Sequence, residues 1–194
     1  MLHESERPLP PQVFLGTRPN HCLRALTPHL TLSKPAGGLW TCDYRPRSLS
    51  VWAEYAAREF DSDLREKYAR ARAWRLRVLT QAKVFVINGK TDLLWLQEHY
   101  PYSHDEEFRH GLVDDLIHEI WYPCLDWPKI AEAFDGVRLS ARGWHILGRG
   151  YNRGYSPLSD WSVPSTVWTR WVFDETSPQA IGDGDTVRAL FAQL

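Results

Sequence analysis

The sequence predicts an α+β fold with a mixed or antiparallel sheet of about six strands and flanking helices. Three observations carry this. Apolar residues alternate with polar ones in several short runs and recur at helical spacing elsewhere. The order of these runs reads ββααββαααββ, with no internal repeat and no regular βαβ alternation. A chain of 194 residues with 43% hydrophobic and 24% charged residues has the size and balance of one globular domain.

Residues 1–11, rich in Pro and charge, read as a flexible N-terminal tail, and residues 12–194 as a single domain. Gln12-Val-Phe-Leu-Gly-Thr17 is β-prone and closed by Arg18-Pro19, which predicts a first strand. Residues 19–36 contain Pro19, Pro28 and Pro35 and read as mostly irregular. A second strand is predicted over Gly38–Asp43. Ser50 is placed to cap a helix over 51–60, where Val51, Trp52, Tyr55, Ala56 and Phe60 share a face. Ser62 is placed to cap a second helix over 63–73. The period then changes. Trp74, Leu76 and Val78 alternate with Arg75 and Arg77 as in a half-buried strand, and Lys83–Ile87 reads as a more buried one, ended by Asn88-Gly89.

Asp92–His99 predicts a short helix, and 105–121 a long one in which Phe108, Leu112, Leu116 and Ile120 recur every fourth residue. Asp126 is placed to cap a helix from Trp127-Pro128 to Phe134, followed by an Asp135-Gly136 turn into a strand over Val137–Ser140. Residues 141–164, rich in Gly, Ser and Tyr, read as a long loop, and Ser165–Phe173 as the last strand. After Pro178 one or two helical turns are expected.

Composition excludes several classes. A net charge of −1 argues against a protein built mainly to coat nucleic acid. The three cysteines, Cys22, Cys42 and Cys124, form no CxxC pair, so neither a disulfide framework nor a structural zinc site is expected, and free thiols fit a reducing cytoplasm. No apolar run suits a signal peptide or a membrane span, so no membrane role is expected. The motifs of Rossmann, P-loop, HExxH and GxSxG proteins are absent.

Three groups of residues remain as candidates. His110, Asp114 and His118 lie four apart on one stripe of the long helix; the wide apolar arc opposite already explains that spacing, and no metal is expected. Arg65, Lys67, Arg70, Arg72, Arg75 and Arg77 form a basic stretch, balanced by Asp61, Asp63 and Glu66 as on a solvated face. The segment Lys34-Pro-Ala-Gly-Gly-Leu-Trp-Thr-Cys42, followed by Ser48 and Ser50-Val-Trp-Ala-Glu-Tyr55, puts two glycines, an aromatic, hydroxyls and a helix N-terminus close together. That combination suits a small polar or anionic ligand; the alternative is a bulge that packs Trp40 into the core.

This segment, with Asp126–Val137 and Asp160–Trp168, resembles a bacterial and phage protein family carrying a KPxGGLWT motif, over roughly residues 12–172. The layout also resembles the ADP-ribosyltransferase fold. In that fold a first strand ends in a His-Gly-Thr type motif that grips the nicotinamide amide. A later Gly-x-Tyr-Phe type strand stacks an aromatic on the ring, a Ser-containing helix start follows, and an acid on a late strand orients the ribose. Leu15-Gly16-Thr17 falls at the first motif, with Arg18 beside it, and Gly38-Leu39-Trp40-Thr41 at the second, with Ser48 and Ser50 after it. Leu15 stands where the family has His. Asp160, Asp174 and Glu175 are the acids near the last strands, and Glu54 is on a helix.

The resemblance implies an NAD-dependent ADP-ribosyltransferase acting on a protein or nucleic acid, with Gly16, Thr17, Arg18, Gly38, Trp40, Thr41 and Ser50 around NAD. Two other readings rest on the ten tryptophans. One is a non-enzymatic, phage-encoded interaction protein that binds a host factor through an aromatic surface. The other is single-stranded nucleic acid binding by Trp stacking beside Arg. The readings diverge at one observation: an enzyme needs an acid in a pocket beside strand 38–41, a binder an exposed aromatic patch.

Overall fold

The computed structural model describes residues 8–29, 32–59, 71–102, 125–148 and 161–182, with the single residues 158 and 189. Within them the chain is α+β, as its periodicities predict. Seven strands form one mixed sheet, β1 (Gln12–Gly16), β4 (Leu39–Asp43), β5 (Arg72–Leu76), β6 (Val84–Ile87), β7 (Gly136–Leu139), β8 (Ser165–Trp168) and β9 (Gln179–Gly182). Their order across the sheet is β6-β7-β8-β4-β1-β5-β9, and only β6 and β7 run parallel. Four helices accompany them, α1 (Val51–Glu59), α2 (Lys90–His99), α3 (Trp127–Ala133) and α4 (Ala141–Gly148). No helix among the described residues is long and apolar enough to cross a membrane.

Directly paired residues share a sheet face. One face therefore carries Val13, Cys42, Trp40, Val167, Val137 and Phe85. All four helices cover it, in two apolar clusters. Leu93 and Leu96 of α2, Ile130 of α3 and Leu147 of α4 pack on Phe85, Val137 and Val167. Ala53 and Ala56 of α1 pack on Val13, Leu15 and Ala73. The opposite face carries Leu39, Leu76 and Trp168, covered by loop side chains such as Leu9, Leu23 and Phe173.

Local chemistry explains the element ends. Ser50 Oγ accepts a hydrogen bond from Ala53 N at the start of α1. Asp92, in the first turn of α2, reaches back to accept from the N–H groups of Asn88 and Gly89. Asp126 caps α3 through Lys129 N, with Pro128 in the first turn.

Four expectations are corrected. Residues 27–29 and 32–36 are not irregular: β2 (Thr27–His29) and β3 (Leu32–Ala36) form a separate antiparallel pair. Pro28 and Pro35 hid it, yet a two-stranded ribbon has only edges, where Pro is tolerated. The strand at 74 begins at Arg72, inside the helix expected over 63–73, because Ala73 pairs with Leu15 and is fully buried. The loop expected from 141 opens with α4. Gly143 obscured that helix, but a Cβ there would lie 2.2 Å from the Ile87 carbonyl oxygen, so glycine is what lets α4 approach β6. The segment after Pro178 is strand β9, paired with β5, where helical turns were expected.

The last predicted strand is also shorter than expected, ending at Trp168, where Thr169 turns to donate its hydroxyl to Phe134 O. At the N-terminal end, Leu9 packs against the sheet and Pro11 O accepts from Tyr44 N. The helix expected over 105–121 and most of that over 63–73 lie outside the described residues.

Candidate functional site

Strands β1 and β4 are neighbours for only part of their length. They pair at Gln12–Asp43 and Val13–Cys42. Beyond that point β1 continues against β5 through Gly16, while the first half of β4 lies against β8. The sheet thus parts between Phe14–Gly16 and Leu39–Thr41, and a cavity of about 240 Å³ occupies the opening. Val13, Phe14 and Leu15 line one wall and Trp40, Thr41 and Cys42 the other. Lys34 from β3, Trp52 from α1, Ser162 and Val163 ahead of β8 and Ser165 at its start are the other described lining residues.

The cavity sits on the helix side, at the seam between the two apolar clusters. Trp40 packs on one cluster and Trp52 on the other. Trp40 is held edge-on by Trp161, with ring centroids 4.8 Å apart. Lys34 Nζ lies 4.1 Å from the centroid of the Trp40 ring and 5.8 Å from that of Trp52. Cys42 is buried, and the loss of hydration pushes its thiol up to about 12, so it stays a neutral wall group near pH 7.

The closed end of the parting is tied by a polar chain on the opposite face. Trp168 Nε1 donates to Thr41 Oγ1 at 2.7 Å, and Thr41 Oγ1 donates to Gln12 Oε1 at 2.9 Å. Gln12 Nε2 donates to Asp43 Oδ1, and Arg138 makes a two-pronged pair with the same carboxylate at 2.6 and 2.5 Å. Thr41 therefore lines the cavity with its hydroxyl already committed, while the Trp40 side chain is the one facing in.

The expected site residues separate into two sets. Trp40 and Thr41 line the cavity. Gly16, Thr17 and Arg18 follow directly on its β1 wall and are not among the lining. The Gly16 carbonyl, the group expected to grip an amide, accepts from Trp74 Nε1 at 3.1 Å. Gly38, at φ +63°, turns its missing side chain toward β8, where a Cβ would lie 2.7 Å from the Trp168 carbonyl oxygen. Its glycine serves strand packing, the bland alternative for the Gly-Gly pair. Ser50 is buried and spends its hydroxyl on α1.

Sequence reasoning missed Lys34, Trp52 and Ser162 as site residues. Lys34 stands in the very motif that carried the resemblance, and its distance from Trp40 along the chain concealed their contact. Trp52 lies within the same candidate segment, but its spacing read as the core face of α1.

No carboxylate is among the described residues lining the cavity. Glu54 pairs with Arg45 at 3.6 Å, Asp174 with Arg77 at 3.4 Å, Glu175 is exposed, and Asp160 lies outside the described residues. The stripe His110, Asp114, His118 also lies outside them, as do Arg65, Lys67 and Arg70. Arg72 is on β5 rather than on the helix expected over 63–73, and Arg75 and Arg77 are on or just past β5, as their alternation predicts; Arg75 stacks over Tyr44 and bonds Gln179. None of the nine tryptophans among the described residues is exposed; the exposed large apolar side chains there are Leu94 and Ile146. No protein-family model matches the chain, and neither curated proteins nor solved structures give a significant match.

Proposed function

We propose that the cleft between β1 and β4 binds the nicotinamide–ribose end of NAD, and that the chain is an ADP-ribosyltransferase-like protein whose target is a protein or a nucleic acid. The parting of the two strands carries the reading. The two segments expected at the nicotinamide, residues 15–17 and 38–41, flank one opening, and Trp40 faces into it.

The lining suits this ligand in several respects. A cavity of about 240 Å³ falls below the ~300–1,000 Å³ that holds a drug-sized molecule, so it takes a ring and its sugar rather than a whole dinucleotide. Trp40 and Trp52 offer flat faces for the ring. Ser162 and Ser165, also in the lining, offer hydroxyls to the polar edge of a ligand. Lys34 supplies the positive charge that a pyrophosphate requires.

When bound, NAD supplies an activated ribose, whose bond to nicotinamide breaks as the target's nucleophile attacks C1. This chain's part is to hold the ring in a water-poor cleft and orient the sugar toward the target. The carboxylate that steadies the developing positive charge is not among the described lining residues, so binding and transfer are tested separately. Isotope-labelled NAD incubated with the chain and a bacterial lysate is expected to label a protein or nucleic acid band. Binding of NAD without labelling would leave a ligand-binding protein; absence of both contradicts the proposal. The aromatic-surface reading gains no support, since none of the described tryptophans is exposed.

A further inference from the structure

We infer that the parting between β1 and β4 is a slot for the free carboxyl end of an extended peptide. The last two residues of that peptide bridge the two strand edges, and its carboxylate meets Lys34. Peptide and NAD would share the cleft and exclude each other, and neither reading needs the other.

The backbone carries the inference. In an antiparallel ladder alternate residues turn their N–H and C=O groups to the same side. Tyr44 N donates to Pro11 O, and Val13 pairs with Cys42. Pro11, Val13 and Leu15 thus turn their backbone groups toward β4, and Tyr44, Cys42 and Trp40 turn theirs toward β1. Pairing stops at Val13–Cys42, so Leu15 and Trp40 face across the parting without bonding each other. Two residues back along β4 the edge is closed again, where Gly38 N donates to Arg24 O at 2.9 Å. Between these ties the backbone groups of Leu15 and Trp40 that face the parting have no partner among the described residues, and both residues line the cavity. Enclosed backbone groups require a hydrogen-bonding partner. The partner that suits two facing strand edges is another extended chain.

Successive residues of an extended chain turn their backbone groups to opposite sides. A last residue set against Trp40 therefore leaves the residue before it set against Leu15. The last side chain shares the face of Trp40 and packs toward Trp52, which suits an apolar residue. Charge fixes which end of the peptide enters. Lys34 Nζ lies 4.1 Å from the centroid of the Trp40 ring and is the one charged group in the described lining. A terminal carboxylate there accepts from that ammonium and from Trp40 N–H. The cavity, of about 240 Å³, is smaller than the ~300–1,000 Å³ that holds a drug-sized molecule, which limits the buried length to about two residues.

The test uses the full chain and three probes: N-acetyl-alanyl-leucine with a free carboxylate, its carboxamide, and the free acid methylated on the leucine nitrogen. Each is titrated by calorimetry up to millimolar concentration. The free acid is expected to bind about tenfold tighter than the carboxamide, and Lys34→Gln should bring that ratio toward one. Methylation removes the donor to Trp40 C=O and should weaken the acid about fivefold. NAD added to the peptide-saturated chain should give less heat than NAD added to the free chain. Equal affinity for acid and carboxamide, no loss on methylation, or no heat from the acid overturns the inference; the first and second of these use the wild type and so decide even where Lys34→Gln fails to fold. Heat from NAD in those cases leaves NAD binding standing, and peptide binding without heat from NAD removes the NAD reading alone.

Discussion

Asp126 shows how much one side chain can do at a helix end. Its Oδ1 accepts from Lys129 N at 3.1 Å, and its Oδ2 pairs with Lys129 Nζ at 2.8 Å. Asp126→Ala removes the cap, and the expected loss is about 1 kcal/mol. A urea denaturation midpoint unchanged by that substitution would show that α3 is held by packing alone. Asp174 belongs to the same scale. The Thr176 hydroxyl is the main group holding its carboxylate below the ordinary value of 3.8, with Ser177 and Arg77 assisting. A carboxylate lowered in the folded state adds stability in full above its unfolded value, and that contribution disappears as pH falls through the folded one. Asp174→Ala should therefore destabilise the protein at neutral pH and approach the wild type in strong acid. A constant difference between the two across that range would contradict the assignment.

Among the elements, β4 carries both the structural and the functional burden. Its alternation sends Trp40 into the cleft and Thr41 and Asp43 to the far face, where they join Gln12, Arg138 and Trp168. This chain of bonds ties β1 to β4 where they still pair, so it sets how far from the sheet's end the parting begins. Arg138 is largely buried beside Asp43, whose part-exposed carboxylate also keeps its bond from Gln12, and Arg138→Met is expected to cost about 1 kcal/mol. Adding Asp43→Asn should recover part of the loss. Additive losses in the double variant would mean the two residues act independently.

Element identity was readable where periodicity was undisturbed, as in β1, β4, β6, α1 and α3. It failed where Pro or Gly interrupted the pattern for a tertiary reason, as at Pro28, Pro35 and Gly143. The site was half readable. The GGLWT run pointed to Trp40, but Lys34 and Trp52 reach it through the fold, and no local spacing encodes that meeting.

For the molecule as a whole, the parted sheet is the feature from which the functional reading follows. Two half-sheets with separate apolar clusters share one helix-covered face, and the space between them is lined by indoles, a lysine and small hydroxyl residues. Replacing Gly16 is a poor probe of that space, since a Cβ there would press on the Phe14 ring at 2.9 Å and disturb β1 itself. Trp40 is the better probe, because it is part-exposed and its ring faces the cavity.

Calorimetric titration of the full chain with NAD tests the central claim most directly. The account predicts saturable heat from the wild type, lost in Trp40→Ala while the far-UV circular dichroism spectrum is retained. No heat from the wild type, at concentrations where millimolar affinity is detectable, or equal heat from Trp40→Ala, would contradict it.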